Sequence, residues 1–184
     1  MDALNHINKT FLKDKFKNKT NMLMLGLDGA GKNTLLHNMP VKDVTETIPT
    51  VARGGCSVKA YELENVFFAT WNVGSQFKYS RLLWQYYFRS TQALIFVVDS
   101  NDRERMDEAK EELSEILNDD DLKDAILLVL ANKQDLPNAM KTAEMTDKLE
   151  LYKIRNRKWL IQNASAIRYE GLLEGLIWLS EELP

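Results

Sequence analysis

Cysteine is nearly absent: Cys56 is the only one among 184 residues. An intrachain disulfide is therefore excluded, and a reducing compartment is the expected setting. Long hydrophobic runs are missing as well. The longest, residues 93–98 and 125–131, fall far short of the ~18 residues a membrane-spanning helix needs. Residues 1–20 are too polar for a secretory signal peptide. Two histidines, His6 and His37, stand alone, without metal-ligand spacing. A net charge of -3 gives no electrostatic case for nucleic-acid binding. No linker, repeat or low-complexity stretch divides the chain. What remains is 45% hydrophobic and 28% charged, the balance of one globular domain large enough to bury its own core.

The first twenty residues differ from the rest. Lys9, Lys13, Lys15, Lys17 and Lys19 outnumber Asp2 and Asp14, and Leu4, Ile7, Phe11, Leu12 and Phe16 recur at helical spacing. Such a basic amphipathic segment suits weak contact with an anionic membrane surface. It equally suits a helix packed on the domain that spans 21–184. From residue 20 onward, strand and helix patterns alternate. Residues 22–27, 93–98, 126–131 and 159–161 are continuous apolar runs, as expected of parallel strands covered on both faces. Residues 56–63 and 66–71, joined by Glu-Asn, predict an antiparallel hairpin. Met106, Ala109, Leu113, Ile116 and Leu117 form one helical stripe, and Leu172, Leu176, Leu179 and Leu183 another. The alternation predicts an α/β class, doubly wound.

Two motifs carry chemistry. The first strand runs into Gly26-Leu27-Asp28-Gly29-Ala30-Gly31-Lys32-Asn33-Thr34, followed by a helical pattern through Leu35, Leu36 and Met39. Glycines let backbone N–H groups converge on phosphates, and Lys32 reaches toward the β- and γ-phosphates. The strict motif places Ser or Thr after the lysine to ligate Mg²⁺; here that position is Asn33. The second motif is Asn132-Lys133-Gln134-Asp135, after the strand at 126–131. A carboxylate at Asp135 accepts both N1–H and the 2-amino group of guanine, a donor pair adenine lacks, so loss of that pairing penalises the wrong base. A third, weaker signal is Asn163-Ala164-Ser165-Ala166, where the Ala166 N–H is placed to donate to guanine O6.

Together these segments resemble the small GTPase superfamily, and in detail the ADP-ribosylation factors. Residues 26–34 resemble that family's phosphate loop and Ile48-Pro49-Thr50 its first switch. Trp71-Asn72-Val73-Gly74-Ser75-Gln76 resembles its Trp-Asp-Val-Gly-Gly-Gln second switch. Residues 96–105, 131–140, 144–149 and 174–180 are similar to family consensus, so the resemblance spans about 21–183. It implies a phosphate-loop small GTPase fold with a six-stranded, mostly parallel sheet and helices on both faces. It implies GTP/GDP and Mg²⁺ as cofactors. The implied nucleotide set is Gly26, Asp28, Gly29, Ala30, Gly31, Lys32, Asn33, Thr34, Thr50, Asn72, Val73, Gly74, Ser75, Gln76, Asn132, Lys133, Asp135, Ser165 and Ala166. Thr50, Gly74, Ser75 and Gln76 would surround the γ-phosphate, with Asn33 and Thr50 on the metal. Gln76 would orient the attacking water while a partner supplies an arginine in trans. The implied partners are an exchange factor, an activating protein and coat or effector proteins. The implied setting is vesicular transport, with a cytoplasmic monomer peripheral on Golgi membranes.

The departures cluster on the switch machinery. Asn33 replaces the Mg²⁺-ligating Thr, and Mg²⁺ tolerates little departure from octahedral geometry near 2.0–2.1 Å. Asn72 replaces an Asp that supports the same ion. Ser75 replaces a glycine at the γ-phosphate and adds a Cβ. The stretch between Thr50 and Trp71 is about three residues longer than the resemblance implies, and one extra residue sits between Gln76 and Trp84. Arg53 stands near where the family has an aromatic effector residue. Trp71, Trp84, Tyr86 and Tyr87 suit either an effector surface or core packing. Asp2 follows the initiator Met, where N-myristoylation requires glycine. The expectation is a guanine-nucleotide switch with weak hydrolysis. The alternative is a pseudo-GTPase module that engages the family's regulators without cycling.

Overall fold

The computed structural model describes residues 13–39, 41–43, 59–70 and 87–184. Seven strands form one sheet in the order β2-β3-β4-β1-β5-β6-β7. They are β1 (Thr20–Leu25), β2 (Lys42–Asp43), β3 (Lys59–Leu63), β4 (Val66–Thr70), β5 (Ala93–Asp99), β6 (Ile126–Asn132) and β7 (Trp159–Asn163). Strands β4, β1, β5, β6 and β7 run parallel, and β2, β3 and β4 are antiparallel. The sheet therefore has one strand more than the six the resemblance implies. The extra strand is the two-residue β2 at the edge, pairing Lys42 with Glu62 and Asp43 with Tyr61. It is polar and exposed, so it leaves no apolar signature.

The continuous apolar runs are explained by two cores. On β5, Leu94, Phe96 and Val98 face one core while Ala93, Ile95 and Val97 face the other. On β6, Leu127, Val129 and Ala131 alternate in the same way with Ile126, Leu128 and Leu130. Helix α2 (Met106–Leu117) covers the first face through Met106, Ala109, Leu113 and Ile116, joined by Met145 of α3 (Thr142–Lys148). Helix α1 (Lys32–His37) covers the second through Leu35 and Leu36, with α4 (Leu172–Glu182) adding Leu172, Leu176 and Leu179. Each fully buried Leu, Ile or Phe contributes about 1.5–3 kcal/mol, so both layers stabilise the sheet between them.

Phe16, part of the basic amphipathic segment, is buried in the second core, and Lys15 pairs with Glu181 at 3.5 Å. The hairpin tip holds this stretch: Asn65 Nδ2 donates to Phe16 O at 2.8 Å, and Thr20 N donates to Asn65 O at 2.8 Å. Residues 13–20 thus pack on the sheet, while residues 1–12 lie outside the described residues. Tyr87 is also core; Trp71, Trp84, Tyr86 and Arg53 lie outside the described residues. Among the described residues no helix is long and apolar enough to cross a membrane.

From β1 the chain goes out to the edge strand β2, returns through β3 to β4 beside β1, and then crosses to β5 on the other side of β1. Open α/β sheets form ligand crevices at such a reversal, beyond the carboxyl ends of the strands. Strand β1 ends there because Gly26 turns at φ 151°. A Cβ on Gly26 would stand 2.2 Å from Val97 O, a backbone atom of the central strand. Gly26→Ala is therefore expected to lower stability by about 3 kcal/mol in urea denaturation. An unchanged midpoint would contradict this packing.

Candidate nucleotide-binding site

Three loops that leave the carboxyl edge of the sheet come together: after β1 (26–31), after β6 (133–141) and after β7 (164–171). Asn132, fully buried at the end of β6, joins the first to the third. Its Nδ2 donates to Ala30 O at 2.7 Å, and its Oδ1 accepts from Ala166 N at 3.1 Å. Gly31, at φ 97°, makes room for this: a Cβ there would lie 2.3 Å from Asn132 Nδ2. Asn38, just past α1, adds a second tie by donating to Ala166 O. The Ala166 N–H, expected to face guanine O6, is thus engaged by Asn132, and a base carbonyl reaching it must compete with that acceptor.

Lys32 opens α1 and is only 4% exposed. Its Nζ donates to Gly26 O and Leu27 O, each at 2.8 Å. An ammonium has three donors, so one remains for an anion. Burial pulls the Lys32 pKa down to about 8, against the charge of Asp28, which raises it. An incoming phosphate supplies the charge that burial has stripped away, favouring the protonated form. Asn33 and Thr34 follow on the exposed side of α1. Asn33 can offer a cation one neutral amide oxygen. Among the described residues no cluster of three His, Cys, Asp or Glu side chains is positioned to hold a metal. Thr50, Asn72, Val73, Gly74, Ser75 and Gln76, expected from the resemblance at the metal and γ-phosphate, lie outside the described residues.

On the base side, Asp135 Oδ1 accepts from Ser165 Oγ at 2.6 Å. This hydrogen bond, aided by the charges of Arg168 and Lys133, holds the carboxyl below the usual carboxylate range. Asp135 is thus ionised at neutral pH and presents a fixed acceptor. Lys133 adopts φ 64° and its Nζ pairs with Asp99 Oδ2 at 2.6 Å. Gln134 braces the same loop, donating to Ser100 Oγ at 2.8 Å and to Met140 O at 2.9 Å. Three contributors escape a reading of the sequence: Asp99 and Arg105, which sit inside the consensus-like stretch 96–105, and Asn38. Only the three-dimensional pairing gives them a task.

A groove of about 640 Å³ between α2 and residues 149–156, floored by Leu113, Leu117, Leu149 and Ile154, contains none of these residues. The chemistry lies with the three loops. A glycine cradle with a buried lysine, joined through one asparagine to a fixed carboxylate, defines a phosphate-loop nucleotide-binding domain of the small GTPase class. The model of the ADP-ribosylation factor family matches residues 4–183, and the chain belongs to that family. Its members are GTP-binding switches that bind GTP or GDP, generally with Mg²⁺, and engage exchange factors, activating proteins and effectors.

The lowered Lys32 pKa makes nucleotide affinity depend on pH. Phosphate binds the protonated lysine, so affinity is level below about pH 8 and falls above it. Between pH 7 and 9 the loss is expected to approach about ten-fold, about half of the lysines having lost their proton already at pH 8. Titration of GDP across pH 7–9 checks this. Lys32→Arg, which stays charged, is expected to remove the dependence; an equal slope in both would contradict it.

Proposed function

We propose that this chain is a guanine-nucleotide switch serving vesicular transport at Golgi-type membranes, with weak GTP hydrolysis. The observation that carries the guanine reading is the Asp135 carboxylate, held by Ser165 in a loop that Asn132 locks to the phosphate cradle. In this reading, Gly26, Asp28, Gly29, Ala30, Gly31, Lys32, Asn33 and Thr34 surround the phosphates. Asn132, Lys133, Asp135, Ser165 and Ala166 surround the base. Thr50 joins Asn33 on Mg²⁺, Asn72 and Val73 support the second switch, and Gly74, Ser75 and Gln76 face the γ-phosphate. Bound Mg²⁺ would neutralise phosphate charge; the longer Asn33 amide would meet its octahedral shell less well than a Thr hydroxyl, and Asn72 removes a negative charge that would support the ion. The basic amphipathic stretch ahead of the packed residues 13–20 supplies weak contact with an anionic membrane surface.

Asn33 also favours a second reading, in which the chain binds GDP and engages the family's regulators without cycling. One set of titrations separates the two. GDP and a non-hydrolysable GTP analogue are titrated with and without Mg²⁺. The switch reading requires both nucleotides to bind. The second requires GDP alone, or little of either. Under either reading, removing Mg²⁺ changes affinity less than ten-fold, and Asn33→Thr restores a larger dependence. Asp135→Asn is expected to weaken GDP roughly 100-fold and to favour the xanthine nucleotide, whose 2-carbonyl accepts from the new amide. Unchanged GDP affinity in Asp135→Asn would overturn the guanine reading.

A further inference from the structure

Asp28 and Arg105 stand 77 positions apart in sequence and meet at the phosphate loop. Arg105, the residue that precedes α2, donates through Nη1 to Asp28 Oδ1 at 2.9 Å and through Nη2 to the backbone O of Asp28 at 3.2 Å. Its guanidinium is in turn fixed by Asp102: Nε donates to Oδ2 at 2.7 Å, and the Arg105 N–H donates to Oδ1 at 3.2 Å. One planar group thus grips two points of a single loop residue while anchored to a rigid helix start. Only arginine has the fork for this; lysine offers a point charge.

The grip on the carbonyl fixes more than Asp28. The peptide between Asp28 and Gly29 is trans, so its C=O and N–H point to opposite sides. With the carbonyl drawn toward Arg105, the Gly29 N–H is turned away from it. We propose that Arg105 is a positioning residue for the phosphate loop: by clamping the Asp28 carbonyl and carboxylate, it aims the Gly29 N–H at a bound nucleotide's phosphates and neutralises the carboxylate beside them. This rests on the guanine-nucleotide reading above. Two further observations agree with it. Gly29 sits at φ 74°, a conformation side chains rarely adopt, while a Cβ there would have ordinary space, 3.9 Å from Arg105 Nη2. The glycine is therefore needed for backbone direction rather than for room. Asp28 is otherwise exposed, with 78% of its side chain open to solvent, and Arg105 is the cation that pairs with its carboxylate at 2.9 Å.

The test uses the full chain, ¹⁵N-labelled and loaded with GDP, together with a fluorescent GDP chase and a thermal melt. Arg105→Met is expected to release GDP at least ten-fold faster and to shift the Gly29 amide proton toward its unbonded position. Arg105→Lys restores the charge but not the fork, so its release rate falls between the two while the Gly29 shift stays displaced. Asp102→Asn, which keeps Arg105 but loosens its anchor, moves both readouts the same way by a smaller factor and serves if Arg105→Met does not fold. A wild-type release rate and Gly29 shift in a folded Arg105 variant overturn the proposal, even if its melting temperature falls, because Arg105 is then only a brace. Failure of the wild-type chain to bind GDP overturns the nucleotide reading itself, and the proposal with it.

Discussion

The site depends on one buried amide. Asn132 must be both donor and acceptor, because Ala30 presents a carbonyl and Ala166 an N–H on either side of it. No apolar or singly functional side chain of that size satisfies both, and a buried polar group left unpaired costs about 1–3 kcal/mol. The same amide makes two loops, over a hundred residues apart in the chain, into one surface. Gly31 exists in its left-handed form to let that amide through. With the second tie from Asn38 to Ala166 O, the loops after β1 and β7 are held to each other and cannot drift independently.

The sheet supplies the stiffness this requires. Asn132 closes β6, whose seven residues are all buried and paired with β5, residues 127–131 pairing with β7 as well. Ala30 is tied through Gly26 to the end of β1, pressed against Val97 of β5. The loops are thus short departures from strands that two apolar layers hold in place. Charge at the site is arranged with the same economy of motion. Lys32 is dehydrated and held by loop carbonyls, and Asp135 is kept ionised by Ser165, so both are ready before a ligand arrives.

Much of this was legible in the sequence. The unbroken runs at 93–98 and 126–131 mark parallel strands because both faces are covered, and the structure places β5 and β6 there. The glycine loop and the 132–135 tetrapeptide are legible because each follows such a strand. The strand β2 was not, because an edge pair of Lys and Asp has no apolar face to betray it. Arg105 and Asn38 were not, because a charged or polar residue at a helix end reads as solvated until its distant partner is known. The engagement of the Ala166 N–H by Asn132 was hidden for the same reason: the sequence shows both residues but not which acceptor reaches first.

The central claim is that residues 26–34 and 163–168 form one guanine-nucleotide site. Hydrogen–deuterium exchange of the full chain with and without GDP tests it most directly. The account predicts that GDP slows exchange in both segments together, with the groove between α2 and residues 149–156 unaffected. Protection in only one segment, or confined to that groove, would contradict it.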